Sequence, residues 1–105
     1  MLLSDILKDA GFIVIQAEHA EGALVLLRAQ AVTIQALFTA VLMPGSMDGV
    51  ALAHETQRSW PWIHLLLASG YLIPAEAELP HKSRFLHKPY QLQQVVSHLR
   101  EMIGA

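Results

Sequence analysis

The stretch LFTAVLMPGSMDG, residues 37–49, combines an apolar run with an abrupt end at Pro44 and Gly45. Such a run is typical of a buried strand that leaves a sheet, and loops at strand ends are where α/β folds place their chemistry. The residue at the tip of this strand is Ala40, whose methyl group carries no reactive atom. The stretch therefore predicts a strand followed by a loop, and leaves open whether a site here has lost its reactive group or whether there is no site.

The rest of the chain alternates between extended and helical patterns around this stretch. Continuous apolar or β-branched runs predict strands at residues 12–15, 34–41, 63–69 and 84–88. The first of these reads as a strand buried on both faces. Apolar residues at helical spacing and a capping Asp48 predict helices at residues 2–10, 20–30, 48–59 and 92–103. Alternating strands and helices predict an α/β domain over residues 1–105, with a doubly wound parallel sheet.

Composition narrows the class of protein. Of the 105 residues, 53 % are apolar and 15 % are charged, so the chain can bury a core. The net charge is -2 and there is no basic run, so we expect no nucleic-acid partner. Cysteine is absent, which excludes disulfides and a thiol nucleophile. No apolar stretch approaches the roughly 18 residues of a membrane span, and the start lacks signal-peptide features, so we expect no membrane partner and a cytoplasmic protein.

Polar side chains follow two further strands at the same edge of the predicted sheet. Ser69 ends one of them and Lys88 ends the last. Because the carboxyl ends of parallel strands meet at one edge, we expect Ala40, Ser69 and Lys88 to lie side by side. A hydroxyl and an ammonium suit a phosphoryl oxygen, although a turn serine and a solvated lysine would give the same pattern. Pro89 follows Lys88 directly and is a candidate for a cis peptide bond.

Three motifs, LFTAVLMPGSMDG, LLLASGY and RFLHKPY, resemble in order and spacing the receiver domain of bacterial two-component response regulators. The helix AEGALVLL and the closing amphipathic helix fit as well, so the resemblance covers nearly the whole chain. It implies the flavodoxin-like α/β fold, with the fourth helix reduced to a turn by the prolines before RFLHKPY. It also implies phosphorelay signalling, with a histidine kinase or another signalling protein as partner.

The resemblance assigns roles to individual positions. Ala40 stands where receivers carry the aspartate that takes the phosphoryl group, so this phosphoacceptor position is degenerate. Ser69 and Lys88 match the residues that contact the phosphoryl group, and Phe85 matches the switch aromatic that reports phosphorylation. The acidic pair that holds Mg²⁺ in receivers has no counterpart in the sequence. We therefore expect no catalytic residue, no metal, no cofactor and no phosphoryl transfer at this site.

Neighbouring residues do not easily replace the carboxylate. Thr39 alternates to the other face of the strand, and Asp48 is occupied as a helix cap. Asp5 and Asp9 are interpreted as surface residues of the first helix. The six histidines are scattered, and none forms an i, i+4 pair on a helix that would suit a metal.

Several explanations of this pattern stay open. One is a natural pseudo-receiver that works as a protein-interaction module through residues 85–103. Another is an ordinary phospho-accepting receiver whose chain is truncated and whose aspartate is replaced, and the coding DNA upstream of Met1 would discriminate between the two. A small α/β enzyme or nucleotide-binding protein is a more distant alternative, because the sequence contains no G-x-G-x-x-G, G-x-x-x-x-G-K-[ST] or G-x-S-x-G motif. We expect a protein that is not an enzyme.

The chain opens within a helix, whereas a doubly wound domain opens with a strand. In receivers that strand lies between the counterparts of residues 12–15 and 36–40, so its omission predicts a gap of about 9.6 Å. Either the strand at residues 12–15 moves across to pair directly, or another copy covers the exposed edge. We favour the second outcome and expect a homo-oligomer.

Overall fold

The computed structural model describes residues 2–42, 45, 47–70 and 74–104. Within these residues the helices and strands are α1 (Leu2–Asp9), α2 (Ala20–Gln30), β1 (Ala36–Ala40), α3 (Gly49–Ser59), β2 (His64–Ser69), β3 (Arg84–His87) and α4 (Leu92–Ile103). The predicted helices and the last three predicted strands are therefore confirmed, with small differences at their ends. Pro44, which the sequence places in the loop after β1, lies outside the described residues.

The three strands form one parallel sheet in the order β1-β2-β3. At the carboxyl edge, Ala40 of β1 is paired with Ala68 of β2, and Ser69 of β2 is paired with His87 of β3. Parallel neighbours need a crossover connection, and α3 supplies the one between β1 and β2. In the described part of the connection before β3, the helical structure is one 3-10 turn at Glu76–Glu78, so the predicted reduction of a helix at this point is confirmed.

Helices cover both faces of the sheet, as the α/β class predicts. α2 and α3 pack on the face that carries Leu65 and Leu67 of β2. α1 and α4 pack on the opposite face, which carries Leu66 and Ala68. This alternation of neighbouring residues between two apolar layers explains why β2 reads as a continuous apolar run in the sequence.

The predicted strand at residues 12–15 is wrong. The segment joins no strand of the sheet, whose only members among the described residues are β1, β2 and β3. Phe12 and Val14 pack against the layer of α1 and α4, but Ile13 is 96 % exposed and Ile15 is 46 % exposed. A strand requires a hydrogen-bonded neighbour, and among the described residues none flanks this segment. The segment therefore has one covered face instead of two.

The segment has also not moved across to pair directly with β1. In the described part of the chain β1 is hydrogen-bonded only to β2, which leaves its other side as a free edge of the sheet. The interior residues of β1 are correspondingly less well covered than those of β2, because Leu37 and Phe38 are only partly buried whereas Leu66 and Leu67 are fully buried. None of the described helices has the length and apolar character needed to cross a membrane.

Candidate functional site

The structure brings the ends of the three strands together at one edge, as predicted. The backbone hydrogen bonds between β1 and β2 and between β2 and β3 continue one residue beyond the ends of β1 and β3. Val41 N donates to Ala68 O at 2.9 Å, and Lys88 N donates to Ser69 O at 2.9 Å. Ala40 and Lys88 are exposed at this edge, whereas Ser69 is only 4 % exposed. The edge therefore presents a methyl group, a mostly covered hydroxyl and an accessible ammonium on adjacent strands.

The backbone at Ala40 is fixed by the start of α3. A Cβ atom added to Gly49, the first residue of α3, would lie 1.7 Å from the carbonyl oxygen of Ala40. Gly49 N donates to Val41 O at 2.8 Å, and the hydroxyl of Thr39 donates to the carbonyl oxygen of Ala40 at 3.0 Å. Glycine is therefore required at position 49 because strand and helix approach each other so closely.

The carboxylates that the sequence offers as substitutes are placed elsewhere. Asp48 caps α3, and its carboxylate accepts a hydrogen bond from Ala51 N at 2.8 Å. Asp5 and Asp9 are exposed on α1. Thr39 is buried on the strand face opposite to that of Ala40, as the alternation of a strand predicts. None of these four residues thus places a reactive oxygen where the side chain of Ala40 lies.

The side chain of Lys88 passes over the end of β2. A Cβ atom added to Gly70 would lie 3.3 Å from Cβ and 3.6 Å from Cδ of Lys88, so Gly70 leaves the space in which this side chain runs. The peptide bond between Lys88 and Pro89 is cis. Tyr90 then turns back toward the sheet, where its ring meets that of Phe38 edge to face at 6.5 Å and burial raises the pKa of its hydroxyl.

Sequence reasoning missed Glu21, which lies in the first turn of α2. A Cβ atom added to Gly45 would lie 2.8 Å from Glu21 Oε1, so this carboxylate lies directly beside Gly45 of the loop that follows β1. Its neighbour His19 caps α2 by accepting a hydrogen bond from Gly22 N at 3.0 Å, and His19 Nδ1 lies 3.5 Å from Glu21 Oε1. The feature of the sequence that could have pointed to Glu21 is its position as an acidic residue in the first turn of α2.

Among the described residues, Glu21 is a carboxylate placed close to Gly45 at this edge. Mg²⁺ is bound through several oxygen ligands, and the described residues contain no group of three or more His, Cys, Asp or Glu side chains that could hold a metal ion. The arrangement at the edge suits the contact of an anion with a hydroxyl and an ammonium rather than the coordination of a cation.

The last strand and helix are joined by an ion pair. Arg84 Nη1 donates to Glu101 Oε1 at 2.8 Å and lies 3.2 Å from His98 Nδ1. Phe85, the next residue of β3, is partly buried and points to the other side of the sheet, against the layer of α2 and α3. The two sides of β3 therefore differ, with a charged link to α4 on one and an aromatic ring in the core on the other.

This ion pair predicts a pH-dependent stability. The hydrogen bond from Arg84, followed by its charge, lowers the pKa of Glu101. Because the pKa in the folded state lies below that in the unfolded state, the pair stabilises the fold above the unfolded pKa, and this contribution is lost as pH falls through the folded pKa. We expect the free energy of unfolding of Glu101→Gln to fall less steeply toward acid pH than that of wild type. At neutral pH the substitution should lower this free energy only slightly, because the carboxylate is exposed.

Urea unfolding across the acid range measures this effect. Asp9→Asn is the matched control, since it removes the same charge from α1, away from Arg84. If Glu101→Gln and wild type lose stability with the same acid-side slope, the ion pair does not contribute.

The chain is similar to known sequences over most of its length. Sensor kinase CckA from Brucella abortus (strain 2308) is 31 % identical over 100 residues, which are 92 % of this chain and 10 % of the kinase. The chain thus spans about a tenth of the length of this curated relative. No protein-family model matches the chain.

Solved structures decide the fold. The receiver domain of NtrX from Brucella abortus is 23 % identical, with a TM-score of 0.83 over 99 % of this chain and 88 % of that domain. A response regulator receiver domain protein from Clostridium thermocellum is 19 % identical, with a TM-score of 0.89 over 98 % and 83 % of the two chains. This chain has the receiver-domain fold. A response regulator receiver protein from Sinorhizobium medicae WSM419 agrees, at 22 % identity and a TM-score of 0.85 over 98 % and 83 %.

The receiver-domain fold confirms the predicted fold class, which is flavodoxin-like with a parallel sheet between helices. Within this fold, Ala40, Ser69 and Lys88 lie at one edge and Phe85 lies on the strand that precedes Lys88. The roles that the resemblance assigns to these four residues stay predictions.

Proposed function

We propose that this chain is a receiver-like domain of a two-component phosphorelay that takes no phosphoryl group at Ala40 and acts by binding other proteins. The observation that carries the proposal is that β1 ends in an exposed alanine at the edge where Ser69 and Lys88 gather, within the receiver-domain fold. The relative that is a sensor kinase supports a place in the same class of signalling. The domain has no catalytic role in this proposal.

The chemistry of phosphoryl transfer supports the first half of the proposal. The transferred group needs an oxygen nucleophile, and the methyl group of Ala40 has none. Most of the catalysis is positioning and neutralisation of charge, which metal ions supply in many phosphoryl-transfer sites. Glu21 lies close to Gly45 of the loop after β1, while Asp48 at the end of this loop is engaged as the cap of α3, and a single remaining carboxylate is a weak site for Mg²⁺. In this proposal Ser69 and Lys88 are retained as structural groups of the edge.

The face formed by β3 and α4, residues 85–103, is the proposed contact surface. Val95, Val96 and Leu99 of α4 are buried against the sheet, which leaves the exposed side of the helix with Gln93, Gln94, Ser97 and Arg100. A polar helix face of this kind suits a reversible contact with a histidine kinase or another signalling protein. We place the domain in the cytoplasm, without a nucleic-acid or membrane partner, and infer that it also forms a homo-oligomer.

Incubation with acetyl phosphate and Mg²⁺, followed by intact mass measurement, tests the proposal. We expect no phosphoryl adduct on this chain, whereas a receiver domain that carries the aspartate gains one under the same conditions. Hydroxylamine treatment then identifies an acyl phosphate, because it cleaves that bond. A hydroxylamine-labile phosphoryl adduct on this chain would overturn the proposal.

A further inference from the structure

The outer face of α2 carries apolar side chains that reach into solvent. Val25 is 63 % exposed, and Val32, in the 3-10 turn that follows the helix, is 92 % exposed. Ala29 is exposed between them. Positions 25, 29 and 32 have the spacing of one helix face. These three side chains therefore form a continuous apolar stripe along α2, which we call the outer stripe.

The outer stripe lies opposite the side of α2 that packs on the sheet. The buried residues of the helix, all apolar, are Ala20, Ala23, Leu24 and Leu27. With 3.6 residues per turn, Val25 and Ala29 point away from that buried side. A surface helix ordinarily has a polar outer face, whereas α2 is apolar on both. The exposure of the stripe therefore does not depend on which strands lie beneath the helix.

Trp62 extends the apolar surface at the end of α2. Its indole Nε1 donates to Ala31 O at 3.1 Å, so the ring lies beside the 3-10 turn that contains Val32. The side chain is 52 % exposed and this hydrogen bond fixes its orientation. Tryptophan is enriched at protein interfaces and among the residues that contribute most to binding. Together with the outer stripe it forms a patch, which scattered single apolar residues do not.

The charges beside the outer stripe are polarised along the helix. Glu21 lies in the first turn and its side chain is 44 % exposed, and Glu18 is exposed just before the helix. Arg28 lies in the last turn, is exposed and takes part in none of the ion pairs among the described residues. Glu21 and Arg28 are seven residues apart, which is about two turns, so they lie on the same flank of the stripe. An antiparallel copy of α2 therefore places opposite charges against each other at both ends.

We propose that the outer stripe of α2 is a self-association site, at which α2 of a second copy packs antiparallel. The interface has twofold symmetry, with the axis close to Val25, so that this residue meets its counterpart in the other copy. Arg28 of each copy then faces Glu21 of the other, while Val32 and Trp62 reach the exposed residues 16–18 before the other helix.

A second copy is the occupant because both the apolar stripe and the charges are complementary to themselves under this symmetry. One pair of helices of this length buries less than a standard interface of about 1,600 Å², so the dimer is weak and reversible. The inference rests on the homo-oligomer part of the proposed function and names its surface.

Sedimentation equilibrium of the complete chain from micromolar to millimolar concentration tests the association. We expect a monomer–dimer equilibrium in wild type. Arg28→Glu sets like charges against each other at both ends of the interface and should raise the dimer dissociation constant about tenfold or more. Lys8→Glu is the matched control, since it reverses the same charge on α1, and should stay within a few-fold of wild type. A monomer at every concentration, or equal dissociation constants of the two variants, would overturn the inference.

A single introduced cysteine tests the position of the axis, because the chain contains no other cysteine. At facing positions of two packed helices the Cα atoms come close enough for a disulfide. Val25→Cys, oxidised with copper phenanthroline, should therefore give a covalent dimer, and Ala51→Cys, exposed on α3, is the matched control that should not. Absence of the covalent dimer in Val25→Cys, or equal yields in the two variants, would contradict the proposed surface. Neither result affects the phosphorylation test, whose failure would in turn leave this one standing.

Discussion

Ala40→Asp alone is expected not to restore efficient Mg²⁺-dependent phosphorylation. The new carboxylate would stand at an exposed strand end, with Ser69 at the end of the neighbouring β2 and Lys88 directly after β3, the strand beyond it. Among the described residues it would find no group of acidic ligands that could bring Mg²⁺ to the reacting oxygens. Removing a single charge-stabilising group from an active site costs about 10²–10³ in rate, so we expect labelling at least that much slower than in a receiver with its full set of acids.

Labelling with acetyl phosphate, with and without a chelator, measures the effect in the Ala40→Asp variant. Ala40→Asn is the matched control, since it has the same size and carries no carboxylate. The prediction is contradicted if the aspartate variant is labelled rapidly, if this labelling needs Mg²⁺, and if the asparagine variant is not labelled. Such a result would show that a metal ligand has been overlooked. Glu21 is then the first candidate, and adding Glu21→Gln to the aspartate variant would abolish the labelling.

Gly49→Ala is expected to destabilise the fold strongly. The added Cβ would lie 1.7 Å from the carbonyl oxygen of Ala40 and 3.0 Å from Cα of Val41, both of them backbone atoms. No change of rotamer relieves such a contact, so α3 has to move away from β1. Overpacking of a tight interior costs about 1–3 kcal/mol, and we expect a loss of unfolding free energy at the upper end of this range.

Urea unfolding of Gly49→Ala beside Gly22→Ala checks this expectation. Both residues lie in the first turns of helices, but a Cβ added to Gly22 would first meet the exposed ring of His19, at 3.3 Å, and that ring can give way. Since alanine favours a helix over glycine by about 1 kcal/mol, Gly22→Ala should be neutral or stabilising. Equal stability of the two variants would contradict the role assigned to the contact between Gly49 and Ala40.

The parts of the fold that depend on local chemistry could be predicted from the sequence. The apolar spacing over Ala20–Gln30 predicts α2, and Asp48 predicts the start of α3, because a helix carries its own hydrogen bonds and cap. The meeting of Ser69 and Lys88 at one edge follows from parallel topology, which short crossovers enforce. Each of these predictions required information from only a few residues at a time.

The parts that depend on distant neighbours could not be predicted in this way. The β-branched pattern at residues 12–15 predicts a strand, but a strand forms only where another backbone lies beside it. The position of Glu21 over Gly45 depends on how α2 docks against the sheet, and no local pattern in the sequence encodes that distance. In both cases the structure that forms depends on which other parts of the chain lie beside these residues, and not on the residue types alone.

The contact between α3 and the end of β1 fixes the backbone at position 40 but does not involve the side chain of this residue. The carbonyl oxygen of this residue is held by the hydroxyl of Thr39 and lies against Gly49, while its side chain is exposed. Exchanging that side chain therefore alters what the edge can react with and leaves the course of the backbone unchanged. Natural selection can therefore act on the side chain and on the backbone at this position separately.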